Sequence, residues 1–85
     1  MANTSSNLTV IVRNKDNVLY SGQAYAVTAV NDKGVFDVLP EHENFITLIK
    51  DKVIIRPNPK ENREIPIDNG IVRVYKDKVY IYVND

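Results

Sequence analysis

Short runs of Val, Ile, Tyr and Thr, separated by polar turn residues, recur along the whole of this 85-residue chain. Residues 8–13 read LTVIVR and residues 79–83 read VYIYV, so that neighbouring side chains alternate along each run. An alternation of period two places one set of side chains on each face of a β-strand. Runs at this short, even spacing predict an all-β fold, a single small β-sandwich or flattened barrel of about eight or nine mostly antiparallel strands.

The polar stretches between the runs predict where strands end. Asn31-Asp32-Lys33-Gly34 has an acceptor side chain first and Gly last, as a type I turn prefers. Lys50-Asp51-Lys52 is expected to close a hairpin, Asp68-Asn69-Gly70 to join two strands, and Gly22 to mark a bulge or bend. In the last run, VYIYV, the aliphatic residues are expected to face the core and the two tyrosines the opposite, partly wet face.

The composition excludes several classes of protein. Eleven basic and eleven acidic residues are interspersed, without the basic stripe that binding to nucleic acid or anionic lipid requires. There is no Cys, and the longest apolar run, residues 79–83, is far shorter than the ~20 residues that span a bilayer. The first ten residues lack the features of a signal peptide. We expect a flexible N-terminus over residues 1–6 and one domain over residues 7–85, soluble when isolated.

The stretch GVFDVLPEHENFI, residues 34–46, contains the single His of the chain beside two acids. In an extended segment Glu41 and Glu43 lie on the face opposite His42, so the three do not converge on one metal ion. None of the three serines of the chain stands in the context of a catalytic nucleophile. We therefore expect no catalytic residues, no cofactor and no metal, and we interpret His42 as a hydrogen-bonded residue at a strand edge or interface.

The order of the motifs resembles a known family. LTVIV, VLYSGQAYAVTAV, GVFDVLPEHENFITLIK, KVIIR and REIPIDNGIVRVYKDKVYIYVND follow one another as in the N-terminal β-sandwich domain of the ε subunit of F-type ATP synthase, called δ in mitochondria. The resemblance covers residues 7–85. It is sharpest at GVFDVLPEH, where the family has Gly, any residue, Phe, Gly, an aliphatic residue, Leu, Pro, Gly and His.

The chain departs from the family pattern where the family has glycines. The second Gly of the motif is Asp37 and the Gly before His is Glu41; Asp51-Lys52 replaces a Pro-Gly turn, and Asn69-Gly70 a double Gly. Loss of Gly costs stability wherever the backbone needs a positive φ. The family also usually continues into a C-terminal pair of helices, which these residues lack. We therefore expect a divergent member, to which the activities of that helical pair are not carried over.

The resemblance implies a non-catalytic subunit of the central stalk, or rotor, of F1Fo ATP synthase. Such a subunit docks on the γ subunit and the c-ring and couples proton- or sodium-driven rotation to ATP synthesis. It lies at the cytoplasmic face of the membrane, without insertion of its own. By motif position, the residues expected to face the c-ring are Asp32, Lys33, Gly34 and Val35, and those expected to face γ are Pro40, Glu41, His42 and Thr47.

Two alternatives remain open at this point. The first is an orphan β-sandwich interaction domain with a different partner, which the lost glycines favour and the nearly complete motif order disfavours. The second is a barrel that binds oligonucleotides by stacking bases on tyrosines, and the candidates are Tyr20, Tyr25, Tyr75, Tyr80 and Tyr82. It would need a basic groove beside the tyrosines, and no such groove is visible in the sequence, so no nucleic-acid partner is expected.

Overall fold

The computed structural model describes residues 7–84, all of whose regular structure is β-strand. The strands are β1 (Leu8–Arg13), β2 (Val18–Ala24), β3 (Ala26–Asn31), β4 (Gly34–Val38), β5 (Phe45–Asn58), β6 (Glu61–Tyr75) and β7 (Lys78–Val83). Within this part of the chain there is no helix, and hence none that could cross a bilayer. The all-β prediction is confirmed, whereas the flexible N-terminus predicted for residues 1–6 lies outside the described residues.

The strands follow one another in the order β2-β1-β7-β6-β5-β3-β4. Neighbours are antiparallel except for β1 and β7, which run parallel with Val10 opposite Val79. The long strands β5 and β6 serve both layers of the sandwich. The first half of β5 pairs through β6 with β7, and its second half pairs with β3.

The strand count is seven because two predicted turns are bulges inside longer strands. The chain does not reverse at Lys50-Asp51-Lys52; Asp51 takes a φ of 69° and β5 continues. Opposite it, the register of β6 shifts, with Lys50 beside Asn69 and Asp51 beside Ile67. A bulge inserts an extra residue and bends the strand, which allows the hairpin to pass from one layer to the other.

The bend predicted at Gly22 lies instead three residues further on. Strand β2 runs through Gly22, and the chain turns at Tyr25, whose backbone N–H donates to the Arg56 carbonyl over 2.9 Å. By contrast, the Asn31–Gly34 turn is confirmed. Asn31 and Gly34 are paired across it, and the Lys33 N–H donates to the Asn31 side chain over 2.8 Å.

The core lies between the two layers and is built almost wholly of aliphatic side chains. Its largest fully buried members are Leu8, Val10, Val12, Val27, Val38, Val53, Ile55, Val72, Val74, Val79, Ile81 and Val83. In β7 the burial alternates strictly, with Tyr80 and Tyr82 on the outer face, as predicted. The expected small β-sandwich is thus confirmed, and its layers share one hydrophobic core.

Candidate docking surface

The loop between β4 and β5 is held against the turn between β6 and β7. The backbone N–H of Glu41 donates to Asp77 Oδ1 over 2.6 Å. In the opposite direction, the backbone N–H of Lys76 donates to the Asn44 side chain over 2.9 Å. Hydrogen bonds to a carboxylate are among the stronger ones, so this reciprocal pair fixes the loop on the sandwich. The loop is therefore a preformed surface feature.

Glu41, at a position where the family pattern has Gly, takes a left-handed backbone conformation. Its φ is 67°, in the left-handed region where a side chain brings Cβ against the following carbonyl oxygen. At the other three positions where the family has Gly, now Asp37, Lys52 and Asn69, φ is not positive. Asp51, which does take a positive φ, stands where the family has Pro. Among the lost glycines, the stability cost of a positive φ thus falls on Glu41 alone.

We expect Glu41→Gly to stabilise the fold by about 1 kcal/mol, because it removes the left-handed strain and keeps the backbone bond to Asp77. Urea unfolding with the midpoint as readout measures the gain. Glu43→Gly is the matched control: it is also exposed in this loop, but its φ is negative, so the added freedom should only destabilise. A loss of stability in both variants would contradict the assignment of strain to Glu41.

His42 lies within the same loop and packs on an aromatic pair. Its ring centroid is 4.8 Å from that of Phe45, which meets Phe36 edge to face at 5.8 Å. Its Nδ1 donates to the Glu43 carbonyl over 2.8 Å. Among residues 7–84 no group of three His, Cys, Asp or Glu side chains is placed to hold a metal ion. The contacts of His42 are thus ring packing and one backbone hydrogen bond.

The turn predicted to face the c-ring projects from the edge of the second layer. Asp32 pairs with Lys50 of β5 at 3.8 Å, and Gly34 takes a φ of 119° as it enters β4. Val35 follows on the edge strand with 69% of its surface exposed. An exposed aliphatic side chain next to a tight turn is a suitable contact for a second protein.

An open depression of 410 Å³ brings part of the two predicted residue sets together. It is lined by Asn31, Asp32, Lys33, Phe45, Ile46, Thr47 and Leu48. Asp32 and Lys33 of one set therefore lie beside Thr47 of the other, and His42 adjoins them through Phe45. Pro40 and Glu41 do not line this depression. The predicted residues thus occupy neighbouring surfaces of one end of the sandwich.

A second surface, which the sequence analysis did not find, covers the outside of the first layer. Two rows of paired residues cross it from β5 to β1: Ile46, Arg73, Tyr80 and Ile11, and beside them Leu48, Ile71, Tyr82 and Arg13. A third row adds Tyr75 and Lys78. We call these three rows the open face. Leu48 is 72% exposed and Ile46 61% exposed, and a groove of 220 Å³ runs between the rows.

A signal for the open face was present in the sequence FITLIK, residues 45–50. Phe45, Thr47 and Ile49 point inward, yet Ile46 and Leu48 on the other side of the same strand are also apolar. A strand that is apolar on both sides is typical of a strand covered on both faces. Monomeric proteins rarely leave so wide an apolar patch uncovered unless it binds something.

These features define a class of protein: a small all-β domain with a hydrogen-bonded loop, a projecting turn and an uncovered apolar sheet face. Residues 7–85 match the family described as ATP synthase, Delta/Epsilon chain, beta-sandwich domain, and the chain belongs to that family. It is 35% identical over 79 residues to the ATP synthase epsilon chain of Sulfurimonas denitrificans. It is 33% identical over 78 residues to that of Corynebacterium efficiens.

The matches cover most of this chain but only part of the relatives. They include 92% of this chain and 61% of the Sulfurimonas protein, and 89% of this chain and 63% of the Corynebacterium protein. The fold is also that of a chain in the mitochondrial ATP synthase of Euglena gracilis (OSCP/F1/c-ring), with a TM-score of 0.87 at 16% identity, over 99% of this chain and 54% of that one. The central stalk and c-ring structure of Tetrahymena thermophila ATP synthase contains another such chain, with a TM-score of 0.76 at 15% identity, over 92% of this chain and 63% of that one.

Proposed function

We propose that this chain is a non-catalytic subunit of the central stalk of F1Fo ATP synthase. It docks on the γ subunit and on the c-ring, and so couples ion-driven rotation of the ring to ATP synthesis. Membership of the epsilon family supports the proposal, together with the central-stalk and c-ring assembly in which a chain of the same fold is found. The protein is then held at the membrane through the complex.

The observation that carries the proposal is the open face. Four adjacent strands present aliphatic and aromatic side chains to solvent, although the sandwich has its own complete core. Burial of apolar surface contributes about 25 cal/mol per Å², so a partner that covers such a face gains substantially. A stalk subunit that must turn with γ needs a contact of this kind, broad and already shaped before binding.

The predicted γ-facing residue Thr47 stands between Ile46 and Leu48 in the chain; its side chain points to the other side of β5, and all three line the same depression. This depression reaches the Asp32–Val35 turn. We therefore assign γ to the open face and its margin at Pro40, Glu41, His42 and Thr47. The projecting turn at Asp32, Lys33, Gly34 and Val35 is assigned to the c-ring.

The assignment to γ predicts that the double variant Ile46→Thr, Leu48→Thr raises the Kd for γ roughly 100-fold. Each change removes apolar surface worth about 1–1.5 kcal/mol at a buried contact. Thr keeps a β-branched or strand-compatible side chain at these positions, so the fold should be preserved. Binding of the tagged chain to purified γ from the same genome, measured by biolayer interferometry beside a thermal melt, tests the prediction.

Val35→Thr is the matched control on the other assigned surface. It should leave the affinity for γ unchanged but reduce the amount of chain retained when the F1 sector is rebuilt on c-ring vesicles. If folded wild-type protein does not bind γ at all, the stalk assignment is wrong and an orphan interaction domain takes its place. If the Ile46/Leu48 double variant and Val35→Thr lose affinity for γ to the same extent, the division of the surface between the two partners is wrong.

A further inference from the structure

The open face carries a group of positive charges. Arg13, Arg73 and Lys78 point outward from three adjacent strands, in alternation with buried residues. Within residues 7–84, none of the three has a carboxylate within ion-pair distance. The whole chain has equal numbers of acidic and basic residues, so this face is a local segregation of charge.

Two acids near the open face have partners of their own. Asp32, at its edge, pairs with Lys50. The carboxylate of Asp77, in the turn just before Lys78, accepts the hydrogen bond from the Glu41 backbone. The sequence shows no basic stripe because the cations come from strands far apart in the chain, which the sheet order places side by side.

Arg73 is held in position at the centre of this charge. Its guanidinium carbon lies 5.4 Å from the ring centroid of Tyr75 and 6.0 Å from that of Tyr80. A guanidinium that stacks on aromatic rings keeps its N–H groups directed outward, where they can form a two-pronged contact with a carboxylate. Because the side chain is already ordered, less entropy is lost when a partner binds.

We infer that the partner surface covering the open face combines apolar side chains with carboxylates that meet Arg13, Arg73 and Lys78. The inference rests on the proposed function, and it specifies the chemistry of the γ surface. Complementary charge around an apolar contact fixes orientation and speeds association. It also rejects partners whose matching surface is basic, since like charges brought together are repelled.

A single-stranded nucleic acid fits the same face less well, although it is also anionic. Bases would need free aromatic faces for stacking. Tyr75 already has Arg73 and Lys76 over its ring, at 5.4 Å each, and Arg73 also covers Tyr80. The exposed aliphatic side chains Ile46 and Leu48 call for an apolar protein surface.

The test reverses charge on the open face. Arg13→Glu, Arg73→Glu is compared with Lys60→Glu, Arg63→Glu, which changes net charge equally at the far end of the β5–β6 hairpin. We expect the first pair to raise the Kd for γ by roughly 100-fold at 50 mM salt and the second by no more than about threefold. Raising salt to 500 mM should weaken wild-type binding by about tenfold and nearly abolish the difference between the two variants.

Each other outcome has a definite meaning. If γ binding is lost in Ile46→Thr, Leu48→Thr but unchanged by the charge reversal, the inference is wrong and the proposed function stands. If folded wild-type protein does not bind γ, both the inference and the proposed function are wrong. Binding to a 20-nucleotide oligo-dT or to phosphatidylserine vesicles at physiological salt, lost in the open-face variant alone, overturns the inference in favour of an anionic polymer or lipid. If the charge-reversed variant does not melt cooperatively, the test is repeated with the double variant Arg13→Gln, Arg73→Gln.

Discussion

Replacing Ile55 by Ala is expected to lower the free energy of unfolding by about 3–4 kcal/mol, since a fully buried Ile leaves both lost transfer energy and a cavity. Ile55 has no exposed surface and lies in the second half of β5, where this strand joins the two layers. For a domain of this size, that loss is a large fraction of a total of roughly 4–13 kcal/mol. The variant should be partly unfolded well below the melting temperature of the wild type.

The same substitution at Ile46 provides the control, because Ile46 belongs to the same strand but is 61% exposed. Ile46→Ala should change stability by no more than about 1 kcal/mol, the span of strand propensity. Urea unfolding followed by circular dichroism measures both, with the slope checked for two-state behaviour. Equal losses of unfolding free energy in the two variants would mean that these residues stabilise the fold through strand propensity and not through burial in the core.

Gly70→Ala is expected to destabilise the domain by about 3 kcal/mol, through a clash of backbone with backbone. A Cβ at Gly70 would lie 2.5 Å from the Tyr82 carbonyl oxygen and 3.1 Å from Val83 Cα. Neither atom is the end of a flexible side chain, so β6 and β7 would have to move apart where Gly70 pairs with Val83.

A thermal melt should show this loss as a fall in Tm of about 15 °C. Asn69→Ala, one residue earlier and exposed, keeps the backbone bond in which the Asn69 carbonyl accepts the Asn84 N–H over 2.9 Å, and should melt close to the wild type. If Gly70→Ala had the same Tm as Asn69→Ala, β6 and β7 could move apart at this point at small cost in free energy. That result would also remove the reason why this glycine is retained while others of the family pattern are replaced.

The fold class was predictable because it depends on local features. The alternation in β7 and the Asn31–Gly34 turn are set by residues close together in the chain. Lys50-Asp51-Lys52 was misinterpreted for a physical reason: one left-handed residue suits a hairpin turn and a bulge equally. Only the partner strand, with the matching shift at Asn69, distinguishes the two.

The candidate site was predictable only in part, because much of it is created by pairing between distant strands. The motif order predicted that Asp32 and Lys33 face one partner and Thr47 another, and the structure sets all three around one depression. The open face depends on the register of four strands. The hydrogen bond from the Glu41 backbone to Asp77 joins residues 36 positions apart. Neither can be obtained from the spacing of residues along the chain.

The parallel pairing of β1 with β7 has a consequence for how the domain is made. The first strand finds its central neighbour only after every other strand has been synthesised, since β7 is the last of the seven. Until then β1 has only β2 beside it, and its apolar side chains Leu8, Val10 and Val12 lack most of the core. Contacts between such distant segments slow folding and prolong the exposure of apolar surface. A nascent chain of this kind stays vulnerable to aggregation until its last strand emerges, and is a natural client for chaperones that hold unfinished chains.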